Sequence, residues 1–345
     1  MHNFLVFDNM CIQITLEKLM RLIYNSNMMK YIITIFTICA LLFTGCEQNS
    51  YSASLTGMGT VISHKIYGKN AKEVFFELSE IIDELDSVCS LTKTDSEINR
   101  LNETGKTDNV HIITQARAFS ELYLKTEGRL DITAGSITTL WNIGFENAKK
   151  PDDEGIKKAL LSVDGSKPDF SDGCLTVGKG QKLDLGASAK GYALDIIKDA
   201  LDKNNTEGAV ITLGGSVLFY GKNPQGRAWR CAVKDPFDTN KYLGTFTLED
   251  GFVSTSGSYE RFFVENNVKY HHILDAKTGY PAETDVVSVT VVMDNGLLSD
   301  LLSTACFMLG SEKGETLLKE YNGRGIFVLK DGSVALVGDI DFEKA

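Results

Sequence analysis

The run GAVITLGGSVLFYG, residues 208–221, limits the fold more than any other stretch of this chain. It is β-rich on both sides and broken in the middle by Gly214-Gly215, so it reads as hairpin-like strands. More β segments follow it. Several short strands are expected from Trp229 to Leu274, TDVVSVTVVM (284–293) reads as a buried strand, and GIFVLK (325–330) with VALVG (334–338) as a closing hairpin. TVISHKIYG (60–68) alternates apolar and polar residues as a half-buried strand does. Helical patterns are mixed in among these. AKEVFFELSEIIDELDSVCS (71–90) sets Val74, Phe75, Leu78, Ile81, Ile82 and Leu85 on one helical face, and TQARAFSELYLKTEG (114–128) reads as a helix stopped by Gly128. KLDLGASAKGYALDIIKDAL (182–201) begins as a strand and turns into a helix, and LLSDLLSTACFMLG (297–310) is a helix closed by Gly310. Helices mixed with hairpins favour α+β layers over a doubly wound parallel sheet. With no repeat and no internal linker, residues 55–340 are expected to form one unit.

The N-terminus reads as an export signal. Lys30 precedes an apolar stretch from Tyr31 to Phe43, which is too short to span a membrane and ends in Thr44-Gly45-Cys46. This resembles a bacterial lipoprotein leader, with residues 28–45 as the signal peptide and Cys46 as the lipidated residue. Residues 46–54 are then a polar tether, and residues 1–27 an over-extended start. The expected location is extracytoplasmic, on a membrane through the lipid anchor. Cys89, Cys174, Cys231 and Cys306 remain, too far apart for a zinc site or a dense disulfide scaffold, and read as small buried hydrophobes. The formal charge of −11 excludes nucleic acid as a partner, and any phosphate-bearing ligand needs local help from a metal or from backbone N–H groups.

Four places hold residues suited to such chemistry. Asp300 and Thr304 are four apart on a helix and so share a face; they are hard oxygen donors of the kind Mg²⁺ takes. Alternatively, Asp300 complements the helix N-terminus while Thr304 packs. The small residues of LDLGASAKGYALD (183–195) let a ligand approach the backbone at a strand-to-helix turn, with Lys190 available to a phosphate. Ser254, Thr255, Ser256, Gly257 and Ser258 suit a turn that binds a polar ligand and suit an ordinary hairpin equally well. Trp141, close behind Asp131, reads as core. Finally, HHILDAKTGYP (271–281) holds two of the five histidines. In a strand His271 and His272 face opposite ways, so only one can serve as a base in a site.

Taken in order, GMGT (57–60), DSEINRLN (95–102), LDITAG (130–135), LDLGASAKGYALD, LGG (213–215), STSGSYERF (254–262), HHILDAKTGYP and SDLLSTA (299–305) resemble the FAD:protein FMN transferase family, also called ApbE-like. The resemblance runs from about Leu55 to Gly310. It implies a T-fold-related α+β enzyme that splits FAD with Mg²⁺, transfers FMN to a Thr or Ser hydroxyl of an acceptor protein and releases AMP. The implied acceptor is exported and carries Asp-x-x-(Ser/Thr)-(Gly/Ser)-Ala-(Thr/Ser). By the same resemblance Met58, Thr92, Arg129, Leu130, Asp131, Asp184, Lys190, His272 and Leu274 line the flavin-nucleotide site. Ala187 through its carbonyl, with Asp300 and Thr304, holds the metal, and His272 is the catalytic base. The chain departs from the family at Thr92, where many relatives carry an aromatic, and at Ser136 and Ala276, where proline is common.

Three other readings compete. Ser90-Leu-Thr-Lys93 and Lys277-Thr278-Gly279 are the S-x-x-K and K-T-G strings of penicillin-binding enzymes, although no S-D-N lies between them. A pocket with the same residues also suits an FAD pyrophosphatase or a flavin-binding lipoprotein.

Overall fold

The computed structural model describes residues 50–345. The expected signal peptide, the lipidation site at Cys46 and the over-extended start lie outside the described residues. The expected tether is shorter than its range, because a strand already begins at Ser50. There Tyr51, Ala53 and Leu55 turn inward and pack on the core, while Ser50, Ser52, Ser54 and Thr56 face solvent.

Eight strands form one antiparallel sheet whose spatial order is the chain order. They are β1 (Ser50–Gly57), β2 (Thr60–Tyr67), β3 (Gly208–Leu213), β4 (Ser216–Gly221), β5 (Gly251–Gly257), β6 (Val286–Met293), β7 (Arg324–Leu329) and β8 (Val334–Val337). Gly214-Gly215 forms the tight link between β3 and β4, with Leu213 opposite Ser216 and Gly214 at φ 60°, so the hairpin expected from the glycine pair is present.

The rest, apart from a C-terminal segment that pairs through Glu343 and Lys344 with Thr245 and Gly244, is inserted between neighbouring strands. Residues 68–207, between β2 and β3, carry α1 (Ala71–Cys89), α2 (Glu97–Thr104), α3 (Val110–Lys125), α4 (Gly135–Trp141), α5 (Asp153–Leu160) and α6 (Ala189–Lys203). Between β6 and β7 lies α7 (Gly296–Glu320). The apolar faces of α1 and α6 close over Ile62, Ile211, Leu213 and Leu218, and α7 closes over Val289, Val291 and Phe327. A hairpin of Trp229–Lys234 and Tyr242–Leu248 covers the opposite face through Trp229, Cys231, Phe246 and Val292. Each fully buried large side chain in these layers contributes about 1.5–3 kcal/mol. Helices on one face of an antiparallel sheet make this the expected α+β architecture.

Three local expectations need correction. Residues 182–185 are not a strand: only an isolated bridge between Ala134 and Lys182 forms there, and the chain then turns directly into α6. The helix expected at 114–128 begins at Val110, because the Asn109 side chain accepts the His111 and Ile112 N–H groups and caps it earlier. Gly310, with φ 79°, ends the first part of α7, but helix resumes to Glu320 because the Asp285 carboxylate accepts the Ser311 N–H.

Candidate active site

The site is built where α6 and α7 meet over β4 and β5. Their first turns approach backbone to backbone: a Cβ on Gly191 would lie 2.1 Å from the Gly296 carbonyl oxygen, so no other residue fits at that crossing. Each helix caps the other. Asp195, on α6, accepts the N–H groups of Gly296 (2.6 Å) and Leu297 (2.8 Å), and Asp300, on α7, accepts that of Gly191 (2.9 Å). The helix-N-terminus alternative for Asp300 is therefore half right: it complements a helix N-terminus, but that of α6 rather than its own.

Asp300 is 5% exposed and draws three donor groups from two elements, α6 and β4. Besides Gly191, it accepts the Ser216 hydroxyl of β4 at 2.9 Å and lies 3.5 Å from the Lys190 ammonium. Lys190 also donates to the Gly186 carbonyl at 3.2 Å. A carboxylate offers about four acceptor positions, so one remains for a cation.

Thr304 is oriented by a relay. Ser303 donates to the Asp300 carbonyl (2.8 Å), so in its 2.8 Å contact with Ser256 it accepts. With the Ser256 proton used on Ser303, Thr304 donates, to Ser256 at 3.0 Å with the Asp300 carbonyl a longer contact at 3.4 Å, and its lone pairs are not used in the relay. Ser254 and Ser256, expected in a turn, lie within β5, and it is this strand position that carries Ser256 under Thr304.

The third expected metal donor meets the same test. Ala187 precedes Ser188, the N-cap of α6, so its carbonyl lies outside the helical ladder, whose first bond runs from the Tyr192 N–H to Ser188, while the Gly191 N–H is committed to Asp300. Among the described residues nothing donates to the Ala187 carbonyl. The buried Ser254 hydroxyl, paired in register with Ser216, also has no partner among them. A free carbonyl, a carboxylate and a threonine oxygen are the hard donors Mg²⁺ takes. Among the described residues no cluster of three or more His, Cys, Asp or Glu side chains forms a competing metal centre.

Beyond β5 the chain reaches Arg261, whose carbonyl accepts the His272 backbone N–H (3.1 Å) and lies 3.3 Å from the ring Nδ1. A proton on Nδ1 satisfies that contact and leaves Nε2 with the free lone pair. Burial, and then the Arg261 charge, push the His272 pKa down to about 3, so the ring is neutral at physiological pH. The Arg261 guanidinium donates to the Gly59 carbonyl at 2.7 Å and thereby fixes the β1–β2 turn, in which Met58 and Gly59 both have positive φ. His271 points elsewhere, as expected. Buried against Phe307, it accepts the Ile273 N–H at Nδ1 and donates from Nε2 to the Ala282 carbonyl.

Arg129 pairs with Asp275 at 2.5 Å, and its carbonyl accepts the Ala276 N–H. This ties the residues after α3 to the His272 segment. Leu274 packs beside the fully buried Trp141, which is core as expected. Asp184 is half-buried and accepts the Gly186 N–H at 2.7 Å, shaping the turn that carries Ala187.

The remaining expected residues are placed differently. Leu130 is core. Asp131 is 7% exposed with its carboxylate taken up by Thr133 and Gly165, which makes it an anchor of its own loop; burial raises its pKa despite these bonds. Thr92 is exposed and bonds Ser90, with no contact to the cluster among the described residues. Lys93 pairs with Asp86, and Lys277-Thr278-Gly279 forms the turn between the paired segments Leu274–Asp275 and Tyr280–Pro281, so the two strings of the penicillin-binding reading make no shared site.

Sequence reasoning gave no role to Ser216, Asp195, Arg261 or Asp275. Each lies inside a quoted motif or next to one, but its partner is distant in sequence.

Comparison with known proteins gives a consistent picture. The ApbE family model matches residues 58–328. The FAD:protein FMN transferase of Treponema pallidum is 34% identical over 319 residues, covering 84% of this chain and 88% of that protein. A Klebsiella pneumoniae protein of the same description is 31% identical, covering 84% and 92%. The crystal structure of the Thermotoga maritima ApbE protein superposes with a TM-score of 0.77 at 30% identity, covering 84% of this chain and 97% of that one. The flavin transferase ApbE from Vibrio cholerae superposes with a TM-score of 0.75 at 25% identity and the same coverage.

Proposed function

Given that this chain belongs to the ApbE family, and is thus a flavin-transferring enzyme, we propose that it uses Mg²⁺ to move the FMN moiety of FAD onto a Thr or Ser hydroxyl of an acceptor protein, releasing AMP. The observation that carries the finer reading is the free Ala187 carbonyl together with an Asp300 carboxylate that keeps one acceptor position and a Thr304 hydroxyl that donates into its relay.

In this reaction the acceptor oxygen forms a bond to the FMN phosphorus, and the bond from that phosphorus to the AMP oxygen breaks. Bound Mg²⁺ neutralises charge on the pyrophosphate. Ala187, Asp300 and Thr304 would hold it. His272 accepts the hydroxyl proton at Nε2 while the Arg261 carbonyl keeps its other nitrogen protonated. Phosphate binding next to His272 raises its pKa from the low value of the free enzyme, bringing the base closer to the working pH. Lys190 meets a phosphate oxygen as a point charge. Met58, on a turn clamped by Arg261, and Leu274 supply apolar contacts to the flavin nucleotide.

The proposal extends to partners and place. The acceptor is an exported protein with an Asp-x-x-(Ser/Thr)-(Gly/Ser)-Ala-(Thr/Ser) site, and the enzyme is a lipoprotein anchored through Cys46. Only residues 47–49 separate that cysteine from β1, which would keep the enzyme close to the membrane surface.

The test uses the chain from Glu47 onward, which contains the whole folded unit, with FAD, Mg²⁺ and an acceptor bearing that site. Flavin fluorescence that stays on the acceptor through denaturation, and is lost with EDTA, is expected. AMP and FMN released without flavin on the acceptor would replace transfer by hydrolysis. Neither product would leave flavin binding alone.

A further inference from the structure

We propose that Gln115, on α3 and away from the reacting groups, is a positioning residue that holds Ser188 off the first turn of α6 and so fixes both the Gly191–Asp300 bond and the turn that presents the Ala187 carbonyl to the metal. The inference rests on the metal site proposed above. Ser188 stands at the N-cap of α6, where a serine hydroxyl ordinarily accepts the N–H of the second or third helical residue. Here the second and third are Lys190 and Gly191, and Ser188 makes no such bond. Its hydroxyl donates instead to the Gln115 side-chain oxygen at 2.7 Å, with a longer contact of 3.1 Å to the Leu185 carbonyl.

Both side chains are fully buried, and the Gln115 amide cannot turn freely. Its nitrogen donates to the His111 carbonyl (3.0 Å) and to the Cys89 sulfur (3.4 Å), so its oxygen is the end presented to Ser188. A glutamine buried to this degree is costly unless every polar group is used, and here it is used to hold one hydroxyl.

The consequence lies one turn away. Because Ser188 does not cap its own helix, the Gly191 N–H, an orphan donor of the first turn, is left to Asp300, and the turn that presents the Ala187 carbonyl keeps its shape. Released from Gln115, the Ser188 hydroxyl would compete for the first-turn N–H groups and draw the 186–188 turn towards a standard N-cap, moving that carbonyl. Gln115 thus acts on the metal by restraining Ser188.

The test is a Mn²⁺ titration in the presence of FAD, followed by electron paramagnetic resonance, on wild type, Gln115→Leu, Ser188→Ala and the double variant. Gln115→Leu is expected to weaken Mn²⁺ binding by about tenfold or more. Ser188→Ala, which has no hydroxyl to release, is expected to bind close to wild type, and the double variant to recover most of what Gln115→Leu loses. That recovery is a readout that loss of packing alone would not produce. Unchanged binding by Gln115→Leu, or the same loss with and without the Ser188 hydroxyl, overturns the inference and leaves the metal site standing. If Gln115→Leu does not fold, Ser188→Ala decides alone: a tenfold loss there overturns the proposal. A wild-type chain that binds no Mn²⁺ overturns the metal-site reading and this inference with it.

Discussion

The two halves of the site are built on opposite electrostatic plans. Around Asp300, donors from α6, Lys190 among them, and from β4 converge on one buried carboxylate, and a hydroxyl relay runs from Thr304 through Ser256 to Ser303. Around His272, burial and the Arg261 charge deny the ring a proton, and one backbone carbonyl sets which nitrogen is free. The first half concentrates partners on a group that would hold a cation in the proposed reaction. The second limits solvent around a group that, in the proposed reaction, stays neutral until substrate arrives. Mg²⁺-dependent phosphoryl transfer needs both, which is why neither half identifies the chemistry alone.

The largest effect that would break this comparison is at the base. His272→Ala is expected to lower transfer to acceptor by about 10²–10⁴-fold while FAD binding persists, measured by denaturation-resistant flavin and by FAD titration. Transfer at the wild-type rate would remove His272 from the role. Asp300→Asn keeps the shape of the other half but sets an amide among donors. Its transfer should fall by about 10²–10³-fold at a fixed Mg²⁺ concentration and recover in part as Mg²⁺ is raised. Loss that no Mg²⁺ concentration relieves would point to folding instead.

A third prediction uses a histidine outside the site. His64, in β2, is 2% exposed, with neither ring nitrogen partnered among the described residues and its pKa pushed down by burial to about 4 from 6.5. As pH falls below about 6.5 the unfolded chain binds a proton that the folded chain refuses, so stability is lost between about pH 6.5 and pH 4. The His64 share is about 3 kcal/mol. Urea unfolding of His64→Leu should show a smaller loss on acidification than wild type; parallel losses would mean that His64 does not titrate in this range. His271 and His272, lowered to about 4 and about 3, add to the same trend in both proteins.

The smallest effect sharpens the comparison at the helix crossing. Asp195→Ala leaves two N–H groups of α7 uncapped and should cost about 1–2 kcal/mol by urea unfolding, with a modest rise in the Mg²⁺ requirement because α7 carries Asp300 and Thr304. A stability loss with an unchanged Mg²⁺ requirement would show that the two helices hold the cradle without that cap.

Much of the fold was legible where the cause is local. The glycine pair at 214–215 gave its hairpin, and the apolar spacing of 71–90 gave α1, because the period of a helix or a strand is written into neighbouring residues. Where the cause is a distant group, the reading failed. Nothing near Gly310 announces that Asp285 restarts the helix, and nothing near Ser256 says that β5 passes beneath Thr304.

By itself the sequence determined an α+β chain and, through motifs kept in order, the family; it also singled out His272, Asp300 and Thr304 as candidates. Only the tertiary structure decided that Asp300 caps α6, that Ser188 is held by Gln115, and that Arg261 joins the Met58 turn to the base. These are hydrogen bonds between groups about seventy to two hundred positions apart, whose pairing depends on where the sheet and helices bring them rather than on any spacing along the chain.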